Sequence, residues 1–263
     1  MRNAAASARS KPRDPLARPE LLDAFEDFVR EPDFPCVGAK SALGRGTLRM
    51  IPCWSIASAW SDVLIHRELL DWAQAYRQEP GLFRSIAFVF SGPENLDEHA
   101  FEKAMWARIQ SLADKDAWLG QPYDRRVSAD PGDPHFSLSF GGEAFFVVGL
   151  HPQASRPARR FRSPVMVFNL HDQFEQLRAE NRYEKLRASI LARDEAIAGS
   201  INPMLARHGS SSEALQYSGR RIEGDWTCPF SDRRSSEPAI RDPLLRELEP
   251  HKSKITANTE NER

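Results

Sequence analysis

The chain has 263 residues, of which 41% are hydrophobic and 28% charged, with 36 basic against 37 acidic side chains. That is enough for one large domain or two small ones of ordinary globular composition, and the near-neutral balance gives no global field for nucleic acid or an anionic membrane. No apolar run reaches the ~20 residues of a membrane span, and Cys36, Cys53 and Cys228 form neither a CxxC pair nor a disulfide framework, so a cytoplasmic protein is expected.

Residues 1–18 read as a disordered lead, basic and alanine-rich, with no hydrophobic segment after them to make a signal peptide. Pro19 then opens a helix whose apolar face is Leu21, Leu22, Phe25, Phe28 and Val29. Phe34 to Gly38 reads as a loop, and Thr47 to Ile51 as a short strand ended by Pro52. Apolar residues at helical spacing predict one long helix over Ile56 to Tyr76. Ile86 to Phe90 is a buried strand, and Asn95 or Asp97 caps a helix running to about Lys115. Phe136–Phe140 and Ala144–Leu150, separated by Gly141-Gly142, predict a hairpin. A further strand, Val165 to Asn169, leads into one helix from His171-Asp172 to Gly199. Residues 231–263 read as a polar tail with a short helix at Ile240 to Leu248. Mixed strands and helices with a hairpin predict a single α+β domain over residues 19–230. No GxGxxG follows a strand, and there is no Walker loop, HExxH or GxSxG.

The most informative segment joins the end of a buried strand to His151 and then to Arg156, Arg159, Arg160 and Arg162. A histidine beside clustered guanidinium groups suits a metal centre with peripheral negative charge, and haem is such a ligand. The alternative is a strand-end turn whose arginines pair with surface carboxylates. A thiolate can also hold haem iron, which keeps Cys228 in Trp226-Thr227-Cys228-Pro229-Phe230 open. A cysteine among aromatics is also a common packing residue, and Cys36 in Phe34-Pro35-Cys36-Val37 has the same two readings. His171 either faces the strand-end side of the sheet or, with Asp172, caps a helix.

Six blocks stand in order across about residues 30–230: Phe34 to Val37, Arg45 to Leu48, Phe146 to Phe161, Phe168 to Phe174, Tyr217 to Arg220, and Trp226 to Phe230. Together they resemble the YqcI/YcgG family. One departure is the strand after Leu48, apolar in the family and here Met50-Ile51-Pro52-Cys53-Trp54. The resemblance implies a haem b-dependent monooxygenase that N-hydroxylates a guanidino compound, L-arginine to Nω-hydroxy-L-arginine above all, in antibiotic-type biosynthesis. It implies dioxygen, and an external reductase or ferredoxin-type donor. His151 is then the axial iron ligand, with Cys228 as the alternative, and Arg156, Arg159 and Arg160 meet the propionates. Glu143 and Asp172 would clamp the substrate guanidinium, and Arg220 its carboxylate. No residue is singled out as catalytic, and a homodimer stays an open expectation. Competing readings are a non-enzymatic haem sensor or carrier, and a non-haem iron oxygenase using His135, His151 and Asp133.

Overall fold

A computed structural model describes residues 19–200, 202, 209–222 and 224–234. The predicted lead and the predicted Ile240–Leu248 helix lie outside them. Five strands form one open mixed sheet in the order β1-β2-β5-β4-β3. They are β1 Leu48–Ser55, β2 Ser85–Gly92, β3 Leu138–Phe140, β4 Glu143–Leu150 and β5 Val165–Leu170. β1 and β2 are parallel, joined by a helical crossover, while β2–β5, β5–β4 and β4–β3 are antiparallel. The α+β expectation holds.

Each face of the sheet has its own hydrophobic cluster, because alternate side chains of a strand point to opposite sides. On one face Phe88, Phe90, Phe145, Met166 and Phe168 are fully buried beneath α3 (Asp62–Gln78) and α4 (Glu98–Trp118). On the other, Ala87, Val89, Leu150 and Val165 meet Leu21, Phe25 and Val29 of α1 (Pro19–Arg30). That second face also carries α2 (Val37–Gly44), α5 (Asp172–Ala179) and α6 (Tyr183–Ala198). A short α7 (Ala214–Tyr217) closes against β4 through a Tyr217–Phe146 ring contact at 5.4 Å. No helix among the described residues is long and apolar enough to cross a membrane.

Several boundaries differ from the sequence reading, among them the strand expected over Phe136–Phe140, which begins at Leu138. The loop predicted over Phe34 to Gly38 ends at Cys36, the N-cap of α2, which already includes Val37 and Gly38. β1 continues through Pro52 to Ser55, which an edge strand tolerates because one side of its ladder is unpaired. The long helix after Ile56 begins only at Asp62, behind a 3-10 turn at Ala59–Ser61. The helix expected from His171 to Gly199 is two helices, broken where Asn181 takes a left-handed conformation at φ 56°. The start of the predicted polar tail is docked: Ser231 exchanges two hydrogen bonds with Gln110, and Arg234 lies over the Tyr123 ring.

Candidate functional site

Between the second sheet face and its helices lies a cavity of about 280 Å³ with a mostly apolar lining. Its floor is one cross-strand row, Leu48–Ser85–Asn169–Phe146, in which Ser85 donates to Asn169 Oδ1 at 2.6 Å. Three strand spacings separate the ends of that row, about 14 Å. Phe25 and Val29 of α1, the start of α2, and Leu186 and Ile190 of α6 form its walls.

Cys36 is half-buried and lines the cavity. Its sulfur caps α2, accepting the Ala39 backbone N–H at 3.4 Å, so the thiol sits at the positive end of a helix. Burial pushes this thiol above its ordinary pKa, against the lowering effect of the Ala39 and Gly38 N–H groups and of Arg159. Gly38, two residues on, packs beside it: a Cβ there would stand in ordinary contact, 3.8 Å from both the sulfur and the Phe83 ring.

Four arginines line the cavity (Arg156, Arg159, Arg178, Arg187) against two carboxylates (Asp194, Glu213), so cations outnumber anions in its walls. Arg156 pairs with the buried Asp194 and donates to Ser200 Oγ at 3.0 Å, while its Nε is buried with no partner among the described residues. Arg159 donates to carbonyls: Gly149 at 3.0 Å, Tyr217 at 3.1 Å and Gln216 at 3.1 Å. These neutral oxygens satisfy its N–H groups without balancing its charge, and burial pushes its pKa down to about 10, opposed by Asp194 and Cys36. Gly219, at φ +80°, makes room for it, since a Cβ there would lie 3.3 Å from the Arg159 side chain. That is a use of the Tyr217-Ser218-Gly219 turn that its sequence does not announce.

The other predicted residues are distributed elsewhere. His151 does not line this cavity. Its ring is buried, stacks on Phe101 with centroids 4.4 Å apart, and has its pKa lowered by burial. Cys228 packs at the edge of the α3/α4 core, and burial pushes its thiol up to about 12. Arg160 donates to the Ala154 and Ser155 carbonyls, outside the cavity. Arg220 is committed to Glu102 through two bonds of 2.9 and 2.7 Å. His135 pairs with Asp133 on an exposed loop, so the structure does not bring them to the buried His151.

Glu143 and Asp172 do clamp a guanidinium, but it belongs to Arg126. Arg126 reaches Asp124 at 2.6 Å, Glu143 at 2.8 Å and Asp172 at 3.0 Å, and Asp172 also accepts from Tyr76 Oη at 2.7 Å. Beside this knot lies a second cavity of about 230 Å³, lined by Arg126, His135, His171, Asp172 and Glu175. Burial alone would raise the Asp124 carboxyl; its hydrogen bonds to Arg126 overcome that and hold it below the usual carboxylate range. Arg126→Ala is expected to cost about 2 kcal/mol at neutral pH, less than a fully buried pair because half of the arginine is exposed. A depressed carboxyl contributes stability that is lost as pH falls through its folded pKa, whereas the variant's uncompensated carboxylates gain by protonation. The difference in urea midpoint between wild type and variant should therefore shrink as pH falls from about 5 to below the ordinary aspartate value of about 4.

His171 occupies the N-cap position of α5 without a side-chain cap bond. Its Nε2 lies 3.2 Å from Glu175 and its Nδ1 3.6 Å from Glu213, so it stands between the two cavities. Sequence reasoning missed Asp194, Glu213 and the Arg126 knot. All three are charged residues in helix or loop stretches that look solvated, and only the fold turns them inward.

The site is therefore an apolar cavity between the layers of an α+β sheet protein, with a helix-capping thiol and more arginine than carboxylate in its walls. The chain belongs to the YqcI/YcgG family, whose model matches residues 25–231. Among curated proteins and among solved structures nothing matches it. The blocks that carry the family resemblance supply Cys36, Leu48, Phe146, Arg159, Asn169 and Gln173 to the cavity lining.

Proposed function

We propose that the chain binds haem b in the cavity between the sheet and α1, α2 and α6, and N-hydroxylates a guanidino compound, L-arginine being the expected substrate. The donor set of that cavity carries the reading: an apolar interior, a thiol at a helix N-terminus, and an excess of arginine over carboxylate. These match the three parts of haem, namely a hydrophobic ring, an iron that takes a thiolate ligand, and two carboxylates. The ligand role accordingly passes from His151 to Cys36. Arg156, whose buried Nε has no partner among the described residues, would take a propionate, and Arg159, its N–H groups held by carbonyls, would add uncompensated positive charge.

Bound haem supplies dioxygen reduction and transfer of one oxygen atom; the guanidino N–H becomes N–OH, and the other oxygen leaves as water with two electrons and two protons. The protein's part is to hold and to exclude. Phe25, Val29 and Leu186 give the cavity an apolar wall, and the sheet floor would fix the depth to which a ligand enters. The Ala39 N–H would stabilise negative charge on the Cys36 sulfur in its role as a thiolate ligand. The electrons come from an external reductase or ferredoxin-type donor.

Reconstitution with haemin tests the reading. The expected result is a stoichiometric Soret band, a thiolate-type ferrous–carbonyl spectrum, and a product one oxygen atom heavier than arginine when a reductant is added. Absence of a Soret band would overturn the haem reading, and haem uptake without oxygen consumption would overturn the enzymatic half of it.

A further inference from the structure

We infer that α6 is a lid over the cavity, hinged at Asn181 and held shut at its C-terminal end by Arg156. Across its 16 residues not one hydrophobic side chain is buried; its buried residue is the charged Asp194. Tyr183, Leu186, Ile190 and Leu191 fall on one helical face and line the cavity, and each is still partly exposed. α1, on the same side of the sheet, buries Leu21, Phe25 and Val29 against the strands instead. The cavity of about 280 Å³ lies where α6 would otherwise find its packing partner. A helix with so little buried apolar contact belongs to the low-stability end of a fold and opens locally before the rest.

Polar contacts at the two ends of α6 set how it moves. The connection from α5 passes through Asn181 at φ 56°, and a short turn of this kind can absorb a rotation of the helix that follows. That end keeps its place through Arg178, whose guanidinium lies 4.4 Å over the Tyr183 ring. The far end is clasped twice. Arg156 pairs with Asp194 and donates to the Ser200 hydroxyl and carbonyl, both at 3.0 Å. Arg193 donates to the Pro32 and Phe34 carbonyls between α1 and α2. Desolvation offsets most of the attraction in a buried ion pair, and both charges regain water when the helix swings out, so the Arg156 clasp parts easily. A ligand in the cavity adds apolar contacts to Leu186 and Ile190 that exist only in the closed arrangement, and so shifts the population toward it. A carboxylate on that ligand can use Arg156 Nε, which has no partner among the described residues, without releasing Asp194. The lid is a property of the fold whichever ligand it covers; haemin as the closing ligand rests on the haem-oxygenase reading.

Hydrogen–deuterium exchange on the full chain tests the lid without a ligand. In the wild type, the α6 amides should exchange faster than those of α1 and β2. Asp194→Asn leaves Arg156 without its counter-charge in the closed arrangement and should speed exchange in α6 roughly tenfold or more, with α1 and the sheet unchanged. Arg193→Ala removes the second clasp and should act in the same direction more weakly, which covers an asparagine variant that does not fold. Protection of α6 equal to that of α1, or loosening that spreads to α1 and the strands, would overturn the lid. Haemin then serves as the closing ligand. Its uptake should slow α6 exchange in the wild type, and its association rate should rise about tenfold in Asp194→Asn, because more of the protein stands open. Bound haemin that leaves α6 exchange unchanged, or that enters both proteins at one rate, also overturns the lid. A wild type that takes up no haemin fails the haem reading alone, and the ligand-free exchange then decides the lid.

Discussion

Cys36→Ser is expected to leave the fold intact and to remove the thiolate signature of the bound haem. Serine is a better helix N-cap than cysteine, so α2 keeps its start and its orphan N–H groups keep an acceptor. What changes is the donor presented to the cavity: a hard, weakly acidic hydroxyl replaces a soft sulfur. The ferrous–carbonyl band should lose its thiolate position, and hydroxylation should fall by more than the roughly 10–100-fold that loss of an outer-shell partner costs. Far-ultraviolet circular dichroism and the urea midpoint should match the wild type. His151→Ala, by contrast, should keep the thiolate spectrum and lose stability, because its ring covers Phe101. A thiolate spectrum that persists in Cys36→Ser would sink the assignment and turn attention to Cys228.

The second large effect concerns Gly149, the next-to-last residue of β4. A Cβ at this position would stand 2.7 and 2.9 Å from atoms of the Phe101 ring and 3.0 Å from the Tyr217 carbonyl oxygen. Neither neighbour can withdraw easily. Phe101 is fully buried and stacked against His151, and the Tyr217 carbonyl is held by Arg159 at 3.1 Å. Gly149→Ala is therefore expected to cost about 3 kcal/mol by overpacking and to lower the melting temperature by roughly 10 °C. Gly44→Ala is the control: nothing lies within 4 Å of its Cβ position, and no loss should follow. Because the Tyr217 carbonyl shares Arg159 with the Gly149 carbonyl, the larger substitution also disturbs the cavity wall.

Periodicity made much of this fold legible. β2, β4 and β5 are bounded apolar runs, and α1 and α4 carry apolar residues at helical spacing, so their positions could be read directly. α2 was hidden because Pro35, Cys36 and Gly38 look like loop residues, although proline before and a capping side chain at the start are compatible with a helix N-terminus. The break between α5 and α6 was hidden because apolar spacing continues across it, while the left-handed Asn181 marks the boundary only in three dimensions. The site was legible as a set of blocks and not as an arrangement. Arg156 and Arg159 reach the cavity, but His151, one strand-end away, turns to the opposite face and serves the packing of α4. Glu143 and Asp172 were suited to a guanidinium, and nothing in their local sequence shows that Arg126 already fills that place.

The cavity wall draws on both ends of the described chain, from Phe25 in α1 to Gln216 in α7, with floor residues from β1, β2, β4 and β5 between them. The first helix finds its packing partners in β2, β4 and β5, but the cavity it lines is complete only when a wall made almost two hundred residues after Phe25 has been synthesised. A ligand therefore enters only once the segment around Tyr217 has been made, into an enclosure for which that segment is the last wall. Its arrival ties the earliest and latest parts of the described chain together and adds its binding free energy to the stability of the whole.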